Sequence, residues 1–365
     1  MKIIHCADLH LDSRMTSHLD KETARFRRGE LLDTYMRMIT YAVENGVSAI
    51  LISGDLFDVN NISSTALHTV QRSVTDHPDI RFYYLKGNHD KDSFINRLTD
   101  IPDNLKLFHE TWTSYEEADG KVRIYGMELT KDNSTSAGRS LIPDPSCFNI
   151  VMLHGQEAES TMGDKAEVID LKAFRNRNID YMALGHLHSY RLNQLDARGM
   201  YCYPGCLEGR GFDECGEHGF VLLDIDEETC RATQHFIPIA CRTCYAEETD
   251  VTGLHTTQEM IGAIAAKLDG LPSGSLVKII LTGDTDVECE KDTEYILAAF
   301  RQRFYYVKLE DRTKPRVNYE DYANDRSLKG EFVRMVLADP EIEEDDKTMV
   351  IRYGLAALSG EEVLS

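Results

Sequence analysis

The sequence predicts an α/β fold over residues 1–240, followed by a smaller α+β domain over residues 241–365. Two observations predict the α/β fold of residues 1–240. Short apolar segments of strand length alternate with helical stretches, and polar motifs recur directly after those segments. In open α/β sheets ligands bind at that edge, because the loops leaving adjacent strands converge there. The first part is therefore expected to be the catalytic one.

Hydrophobic periodicity gives the expected elements. In the first part, helices are expected near 22–45 and 63–76, hairpin-like segments through 239, and strands near 2–7, 48–53, 80–86, 105–108, 122–128, 148–154 and 179–184. After residue 240 a strand-like stretch comes first, then strands near 276–281 and 305–309 and helices near 256–269, 292–303, 325–338 and 346–358. This change of pattern is the reason for the expected domain boundary.

Length and composition point to a two-domain protein of the cytoplasm. The chain has 365 residues, of which 42% are hydrophobic, enough to bury two cores. Its apolar runs are shorter than the roughly 18 to 20 residues of a membrane helix, and its first strand is not preceded by the pattern of a secretory signal. Nine cysteines without framework spacing are expected to be free thiols. Cys241 and Cys244 form the one C-x-x-C pair of the sequence, and they too are expected to be free thiols.

Charge argues against tight, unaided binding to duplex DNA. Forty basic residues against sixty-two acidic ones give a formal net charge of −22, which repels polyanions at long range. Arg25, Arg27 and Arg28 lie near the start of a predicted helix. There we expect them at the surface, paired with Glu22 and Glu30. A local basic groove is compatible with the net charge, but these arginines are not expected to form it.

Five short motifs occur in order, each just past an apolar strand. They are Asp8-Leu9-His10, Gly54-Asp55-Leu56-Phe57-Asp58, Gly87-Asn88-His89-Asp90, Leu153-His154-Gly155 and Gly185-His186-Leu187-His188. Glycines stand beside the polar residues, where the backbone must turn sharply at a strand end. Oxygen and imidazole ligands without thiolates suit manganese, iron or zinc. The motifs therefore predict a metal site.

The candidate ligands are numerous enough for two ions: Asp8, His10, Asp55, Asn88, His154, His186 and His188. Alternation along a strand sends residues i and i+2 to the same side. Asp8 with His10, and His186 with His188, are therefore each expected to address a common cluster. Two ions about 3.5 to 4 Å apart can orient an attacking hydroxide and neutralise phosphoryl charge in an in-line displacement. That chemistry is phosphoester hydrolysis.

At these residues the sequence resembles the calcineurin-like metallophosphoesterase superfamily. Within it, residues 4–13, 53–58, 203–208 and 212–214 are similar to the SbcD-type DNA exonuclease subunits. The resemblance implies two packed mixed β-sheets flanked by helices, with a smaller C-terminal capping domain. Its motifs cover residues 8–188 and its subfamily features reach about residue 214. Beyond that point only the order of the domains is similar.

The resemblance also implies a role for each motif residue. One metal ion would be held by Asp8, His10, Asp55 and His188, and a second by Asp55, Asn88, His154 and His186. His89 is implied to be the catalytic histidine, which contacts the phosphate and helps the leaving oxygen depart as an alcohol. An imidazole that titrates near neutrality fits that role. The implied cofactors are two divalent ions per chain, with manganese favoured over iron or zinc.

Five polar residues near the motifs have open roles. Asp12, Asp58 and Asp90 could orient the ligand imidazoles or cap loops. Glu208 and Arg210 could face a substrate groove.

Two functional classes are left open. The first is a DNA exonuclease or endonuclease subunit of an SbcCD-like DNA repair complex, whose partners are DNA and an SbcC-like coiled-coil ATPase; the subfamily resemblance favours it. The second is a phosphoesterase for a small molecule or cyclic nucleotide that the cap selects, which the acidic charge favours. A homodimer is a further arrangement to consider. No membrane association is expected.

The segment from Asp325 to Ser365 is the candidate dock for the ATPase. Its helices carry the apolar residues Phe332, Val333, Val336, Leu337, Val350, Ile351, Leu355 and Leu358. These residues could equally form the core of the capping domain.

Overall fold

The computed structural model describes residues 1–15, 19–58, 62–90, 94–98, 100–157, 168–286, 289, 291–316 and 322–359. The chain divides into two compact units, Met1–Thr243 and Cys244–Ser365. Among the described residues, no helix is both long and apolar enough to span a bilayer. The role of the second unit as a cap stays a prediction.

Strands dominate the first unit. In chain order they are β1 (Lys2–Cys6), β2 (Ala49–Ser53), β3 (Arg81–Leu85), β4 (Leu105–Leu107), β5 (Thr113–Glu117), β6 (Val122–Gly126), β7 (Phe148–His154), β8 (Gln156–Glu157), β9 (Val168–Ile169), β10 (Tyr181–Gly185), β11 (Arg191–Gln194), β12 (Met200–Tyr203), β13 (Gly219–Asp226) and β14 (Arg231–Pro238). Its α-helices are α1 (Lys21–Glu44), α2 (Ser64–Thr75), α3 (Ala137–Ser140) and α4 (Leu171–Phe174), with 3-10 turns at Phe94–Arg97 and Ala118–Gly120.

Two six-stranded sheets organise these strands, in the orders β14-β13-β1-β2-β3-β4 and β11-β12-β10-β7-β6-β5. In the first sheet, β1 to β4 are parallel and the β13–β14 hairpin runs antiparallel to β1. In the second sheet, β12, β10, β7 and β6 are parallel, and the edge strands β11 and β5 are antiparallel to their neighbours. Both sheets are mixed, so the predicted architecture of two mixed sheets flanked by helices is confirmed.

The core of the first unit lies between the sheets. Ile3, Leu51 and Tyr83 from the first sheet pack in one buried cluster with Ile150 and Ala183 from the second. Because side chains alternate along a strand, every second residue faces this core. This core packs the two sheets face to face.

Glu208 is a buried carboxylate, 2% exposed, that ties α1 to residues near the end of the first unit. It accepts hydrogen bonds from Arg27 Nη2 at 2.7 Å, Thr34 Oγ1 at 2.6 Å and the Cys241 backbone N–H at 2.5 Å. Arg27 is also fully buried, and its Nη1 pairs with Glu30 at 2.5 Å. The prediction of a surface Arg27 was therefore wrong, although the pair with Glu30 is present. Glu208 does not face a groove, because these buried donors surround it.

Truncating Glu208 to alanine is expected to lower the free energy of unfolding by about 3 to 5 kcal/mol, because the buried guanidinium of Arg27 would lose its fully buried carboxylate partner. Urea denaturation measures the effect. Glu116→Ala is the matched control, because its ion pair with Arg123 is exposed and exposed pairs contribute little. A loss for Glu208→Ala as small as that of the control would contradict a stabilising role for the buried network.

Among its described residues, the second unit contains β15 (Cys244–Asp250), α5 (Thr257–Lys267), β16 (Leu276–Thr282), β17 (Asp284–Asp286), α6 (Thr293–Arg301), β18 (Tyr306–Asp311), β19 (Lys314–Arg316), α7 (Leu328–Ala338) and α8 (Glu344–Ser359). Three of these strands form a parallel sheet in the order β15-β16-β18. Helices α5 and α6 connect the parallel strands and bury Ile264 and Phe300 in a cluster with β16.

The terminal helices have a small core of their own. Four of the predicted apolar positions are buried there with Tyr322: Val333, Val336, Ile351 and Leu355. Val350 and Leu358, in contrast, are 36% and 41% exposed. The four buried residues therefore serve the core of this unit rather than an open surface. Residues 360–365 of the proposed dock lie outside the described part of the chain.

Candidate metal centre

The candidate ligands gather where parallel strands of the two sheets end. Glycines permit this close approach. A Cβ on Gly54, whose φ is +93°, would lie 2.2 Å from His154 Nδ1, and a Cβ on Gly185 would lie 1.9 Å from the Ser53 carbonyl oxygen. Only glycine fits at either position without displacing the ends of β2, β7 and β10. The predicted assembly of the motifs at one edge therefore corresponds to the observed geometry.

The loop after β1 has an unusual backbone. Asp8 and His10 have φ values of 53° and 44°, and Asp55 after β2 has a φ of 53°. Non-glycine residues in this left-handed region cost on the order of 1 to 3 kcal/mol each, and they cluster at functional sites. The sequence predicted that alternation along the strand would direct Asp8 and His10 to the same cluster, and that explanation was wrong. Both residues lie beyond the strand, and the turn aims them.

One group of ligand atoms surrounds His10. Its Nε2 lies 3.2 Å from His188 Nε2 and 3.8 Å from Asp55 Oδ2. Asp8, His10 and His188 offer ligand atoms that all lie within 4.8 Å of one another. The Asp8 carboxylate is fully buried, and both of its oxygens accept the backbone N–H of His186, at 3.0 and 2.9 Å. This hydrogen bond joins the loop after β1 to the end of β10.

A second group surrounds His154. Its Nε2 lies 3.4 Å from Asp55 Oδ2 and 3.0 Å from Asn88 Oδ1. The His186 ring packs edge-on against it, with ring centroids 5.4 Å apart. Asp55 Oδ2 thus lies between the two groups, near one histidine of each. His188 belongs to the first group, and the His186 ring lies against the second.

The tautomer of His154 tests whether this geometry suits a cation. His154 Nδ1 lies 2.9 Å from the Ser53 carbonyl oxygen, which can only accept, so Nδ1 carries a hydrogen. In a neutral ring Nε2 then presents a lone pair to the oxygens of Asp55 and Asn88. Burial lowers the pKa of His154, but the hydrogen bond and charge of Asp55 outweigh burial and raise that pKa to about 9. The lone pairs of His154 Nε2, Asp55 and Asn88 point toward one another, so this arrangement needs a positive charge between them. These oxygen and nitrogen ligands suit a divalent ion.

His89 lies at the rim of the site, with its side chain 45% exposed. Its Nδ1 donates to Asp58 Oδ1 at 2.9 Å, and its backbone N–H donates to Asp55 Oδ1 at 2.9 Å. The hydrogen bond to Asp58 raises the pKa of His89. Nε2 is then the ring nitrogen available to a substrate. Asp58 Oδ1 also lies 3.4 Å from His10 Nδ1, so this carboxylate contacts two site histidines.

The other two nearby aspartates hold the backbone instead. Asp12 Oδ2 accepts the Ser63 N–H at 2.5 Å. Asp90 accepts three backbone N–H groups, at 3.0 to 3.2 Å, from the segments after β2 and β3. Burial raises the pKa of Asp90 to about 6. Of the two roles left open by the sequence, Asp58 has the histidine-orienting one, and Asp12 and Asp90 have the loop-capping one.

Glu214 is a site residue that sequence reasoning missed. It is 6% exposed, and its Oε1 accepts a hydrogen bond from His188 Nδ1 at 2.7 Å. A carboxylate on the far nitrogen fixes the tautomer and orientation of a ligating imidazole. Arg210 Nη2 donates to the same oxygen at 2.7 Å, so Arg210 lies at the site rather than on open surface. The only signal was the similarity over 212–214, which assigned no role.

Glu214→Gln is expected to weaken manganese binding at the His188 side of the site by about 10- to 100-fold, the usual effect of losing such a partner. Titration calorimetry of manganese into metal-stripped protein measures it. Glu217→Gln is the control, because Glu217 is exposed and close in sequence. Equal manganese affinities for the two variants would contradict the orienting role of Glu214.

The fold and the site are those of a metallophosphoesterase. The model of the calcineurin-like phosphoesterase family matches residues 1–190, and the chain belongs to that family. The predicted superfamily is thereby confirmed, and this family binds two divalent metal ions. The assignment to SbcD-type subunits and the individual ligand roles stay predictions.

Several relatives match a longer part of the chain than the family model does. It is 27% identical over 346 residues to the "uncharacterized metallophosphoesterase YhaO" of Bacillus subtilis, covering 87% of this chain and 83% of that protein. It is 28% identical over 209 residues to the DNA double-strand break repair protein Mre11 of Sulfurisphaera tokodaii, covering 53% and 51%. For Mre11 of Methanosarcina mazei the identity is 24% over 359 residues, covering 93% and 55%. The chain thus spans about half the length of these Mre11 relatives.

Among solved structures, TT1561 of Thermus thermophilus matches with a TM-score of 0.42 and 13% identity, over 64% of this chain and 98% of that one. A dimetal phosphatase from Danio rerio matches with a TM-score of 0.42 and 11% identity, over 61% and 92%.

Proposed function

We propose that this chain is a manganese-dependent phosphodiesterase that cleaves DNA as the nuclease subunit of an SbcCD-like repair complex. The observation that carries the proposal is the position of Asp55 Oδ2, 3.8 Å from His10 Nε2 and 3.4 Å from His154 Nε2. A carboxylate between two such groups suits a dinuclear site for phosphoryl chemistry. Relatives named as DNA double-strand break repair proteins support DNA as the substrate.

Seven side chains would hold the ions. Asp8, His10, Asp55 and His188 would bind one, and Asp55, Asn88, His154 and His186 the other. When bound, the two ions supply an activated water and neutralise charge on the phosphoryl oxygens. Glu214 keeps His188 in the tautomer that exposes Nε2, and the Ser53 carbonyl does the same for His154.

His89 is the proton donor in this proposal. Asp58 fixes its Nδ1–H and favours the protonated ring, so Nε2–H is available for transfer. As the oxygen of water bonds to phosphorus, the bond from phosphorus to the leaving oxygen breaks, and His89 gives that oxygen its proton. The attacking water loses a proton to solvent, and His89 regains one from solvent, so one phosphodiester and one water become a phosphomonoester and an alcohol.

The alternative substrate is a small phosphoester such as a cyclic nucleotide, which the net charge of −22 favours. Turnover of linear DNA should be compared with turnover of cyclic nucleotides and small phosphomonoesters, all in manganese. DNA cleavage that disappears in the His89→Ala variant is expected, because that variant controls for contaminating nucleases. Turnover of the small substrates without cleavage of DNA would contradict the proposal.

The acidic balance also leads us to propose that productive DNA binding needs the ATPase partner, because non-specific affinity comes almost wholly from basic contacts to phosphate. DNA binding near physiological salt should be measured for the isolated chain, for the chain with its candidate ATPase, and for a truncation before Asp325. Strong, salt-resistant binding by the isolated chain would contradict the partner requirement. Unchanged ATPase association by a folded truncation would contradict the C-terminal dock.

A further inference from the structure

Arg210 lies between the two carboxylates that orient site histidines. Its Nη2 donates to Glu214 Oε1 at 2.7 Å, and its Nε lies 3.1 Å from the same oxygen. Its Nη1 lies 3.7 Å from Asp58 Oδ2. Glu214 in turn accepts from His188, and Asp58 accepts from His89. A single guanidinium therefore contacts the supports of both histidines.

The two edges of this guanidinium are used differently. The edge formed by Nε and Nη2 is held by Glu214, whose carboxylate is buried. The distance from Nη1 to Asp58 is longer than a hydrogen bond, and within the described part of the chain Nη1 makes no hydrogen bond. The side chain keeps 18% of its surface exposed. Arg210 is thus fixed along one edge and has a donor left at the other.

Other arginines of this unit are engaged elsewhere. Arg27 pairs with the buried Glu208 and with Glu30. Arg242 pairs with Glu30, and Arg198 pairs with Asp180. None of these pairs includes Asp58 or Glu214. Arg210 is therefore the arginine, among the described residues, whose guanidinium contacts both histidine-orienting carboxylates.

We propose that Arg210 is a phosphate-binding residue of this site, and that its Nη1 exchanges the long contact with Asp58 for a non-bridging oxygen of the substrate phosphoryl group. A planar guanidinium binds phosphate with directed, charge-assisted hydrogen bonds. Its anchoring by Glu214 reduces the side-chain entropy lost when the phosphate binds. The inference rests on the proposed function only in assuming that the substrate carries a phosphoryl group.

Phosphate binding tests this role apart from turnover. Inorganic phosphate should be titrated by calorimetry into manganese-loaded wild type, Arg210→Gln, Arg210→Lys and the control Arg123→Gln, whose arginine pairs with Glu116 away from the site. Arg210→Gln is expected to weaken phosphate binding by about 10- to 100-fold, the scale of a hydrogen bond to a charged group, with unchanged manganese content. Arg210→Lys should lose less phosphate affinity than Arg210→Gln, and the Arg123→Gln control should bind phosphate as tightly as wild type.

Phosphate affinity within about twofold of wild type in a manganese-loaded Arg210→Gln variant would overturn the inference, because Arg210 would then only neutralise Glu214 and Asp58. If Arg210→Gln loses manganese, the Arg210→Lys variant provides the test, because lysine keeps the positive charge but lacks the planar guanidinium and its directed N–H donors. Wild-type phosphate affinity in the loaded lysine variant would equally overturn the inference. Neither result depends on DNA being the substrate, so a failure of the proposed nuclease activity would remain separate.

Discussion

Replacing His89 with alanine is expected to slow DNA cleavage by about 10² to 10⁴-fold, the scale of a proton-transfer residue, with both metal ions retained. His89 is half-exposed at the rim and donates through Nδ1 to Asp58, while the neighbouring Asn88 offers an oxygen to the His154 group. Its loss should therefore remove a proton donor and leave the ligands in place. Cleavage rates and the metal content of the purified variant give the measurement.

The leaving group provides an internal control for His89. A nitrophenyl phosphodiester releases an anion that needs no proton, so His89→Ala should slow its hydrolysis much less than that of DNA. His235→Ala is the matched control, because His235 is an exposed residue of β14. Near-normal DNA cleavage by His89→Ala would exclude the proposed role.

Asp55→Asn is expected to weaken both metal sites together. Asp55 Oδ2 lies near one histidine of each group, and Oδ1 accepts the backbone N–H of His89. An amide offers one oxygen and no charge, so it is a poor bridge between two cations. His10→Ala should mainly affect one site, because His10 belongs to one group. Elemental analysis of both variants after gel filtration measures the ions retained.

Asp12→Asn is a suitable control for this comparison, because Asp12 accepts a backbone N–H of the segment before α2 rather than contacting the ligand groups. It should retain both ions. Two tightly bound ions in Asp55→Asn would show that the bridging assignment is wrong, and an equal loss of both ions in His10→Ala would show that the two groups are not separable.

Several long elements could be predicted from the sequence. The helix expected near 22–45 is Lys21–Glu44, and the strand expected near 148–154 is Phe148–His154. The edge strand Thr113–Glu117 was missed, because most of its residues are polar and its order comes from antiparallel pairing with β6. Tertiary pairing overrides weak local preference in such strands.

The site was predictable at the level of motifs but not of individual contacts. Asp8 and Asp55 follow neighbouring parallel strands of one sheet, so their approach follows from strand order. His154 ends a strand of the other sheet, and the packing of the two sheets brings it to them. Glu214 reaches His188 only because the segment between β12 and β13 returns to the site, which no local pattern indicates. Arg27 looked like a surface residue because its partner Glu208 lies 181 residues away in the chain.

The dinuclear site itself is tested most directly by counting manganese ions bound to chelator-stripped protein while DNA cleavage is followed. Two ions per chain are expected at saturation, with cleavage appearing as the second ion binds, because the two groups around His10 and His154 share Asp55. Full cleavage with a single bound ion, or cleavage without any divalent ion, would contradict a dinuclear mechanism at this site.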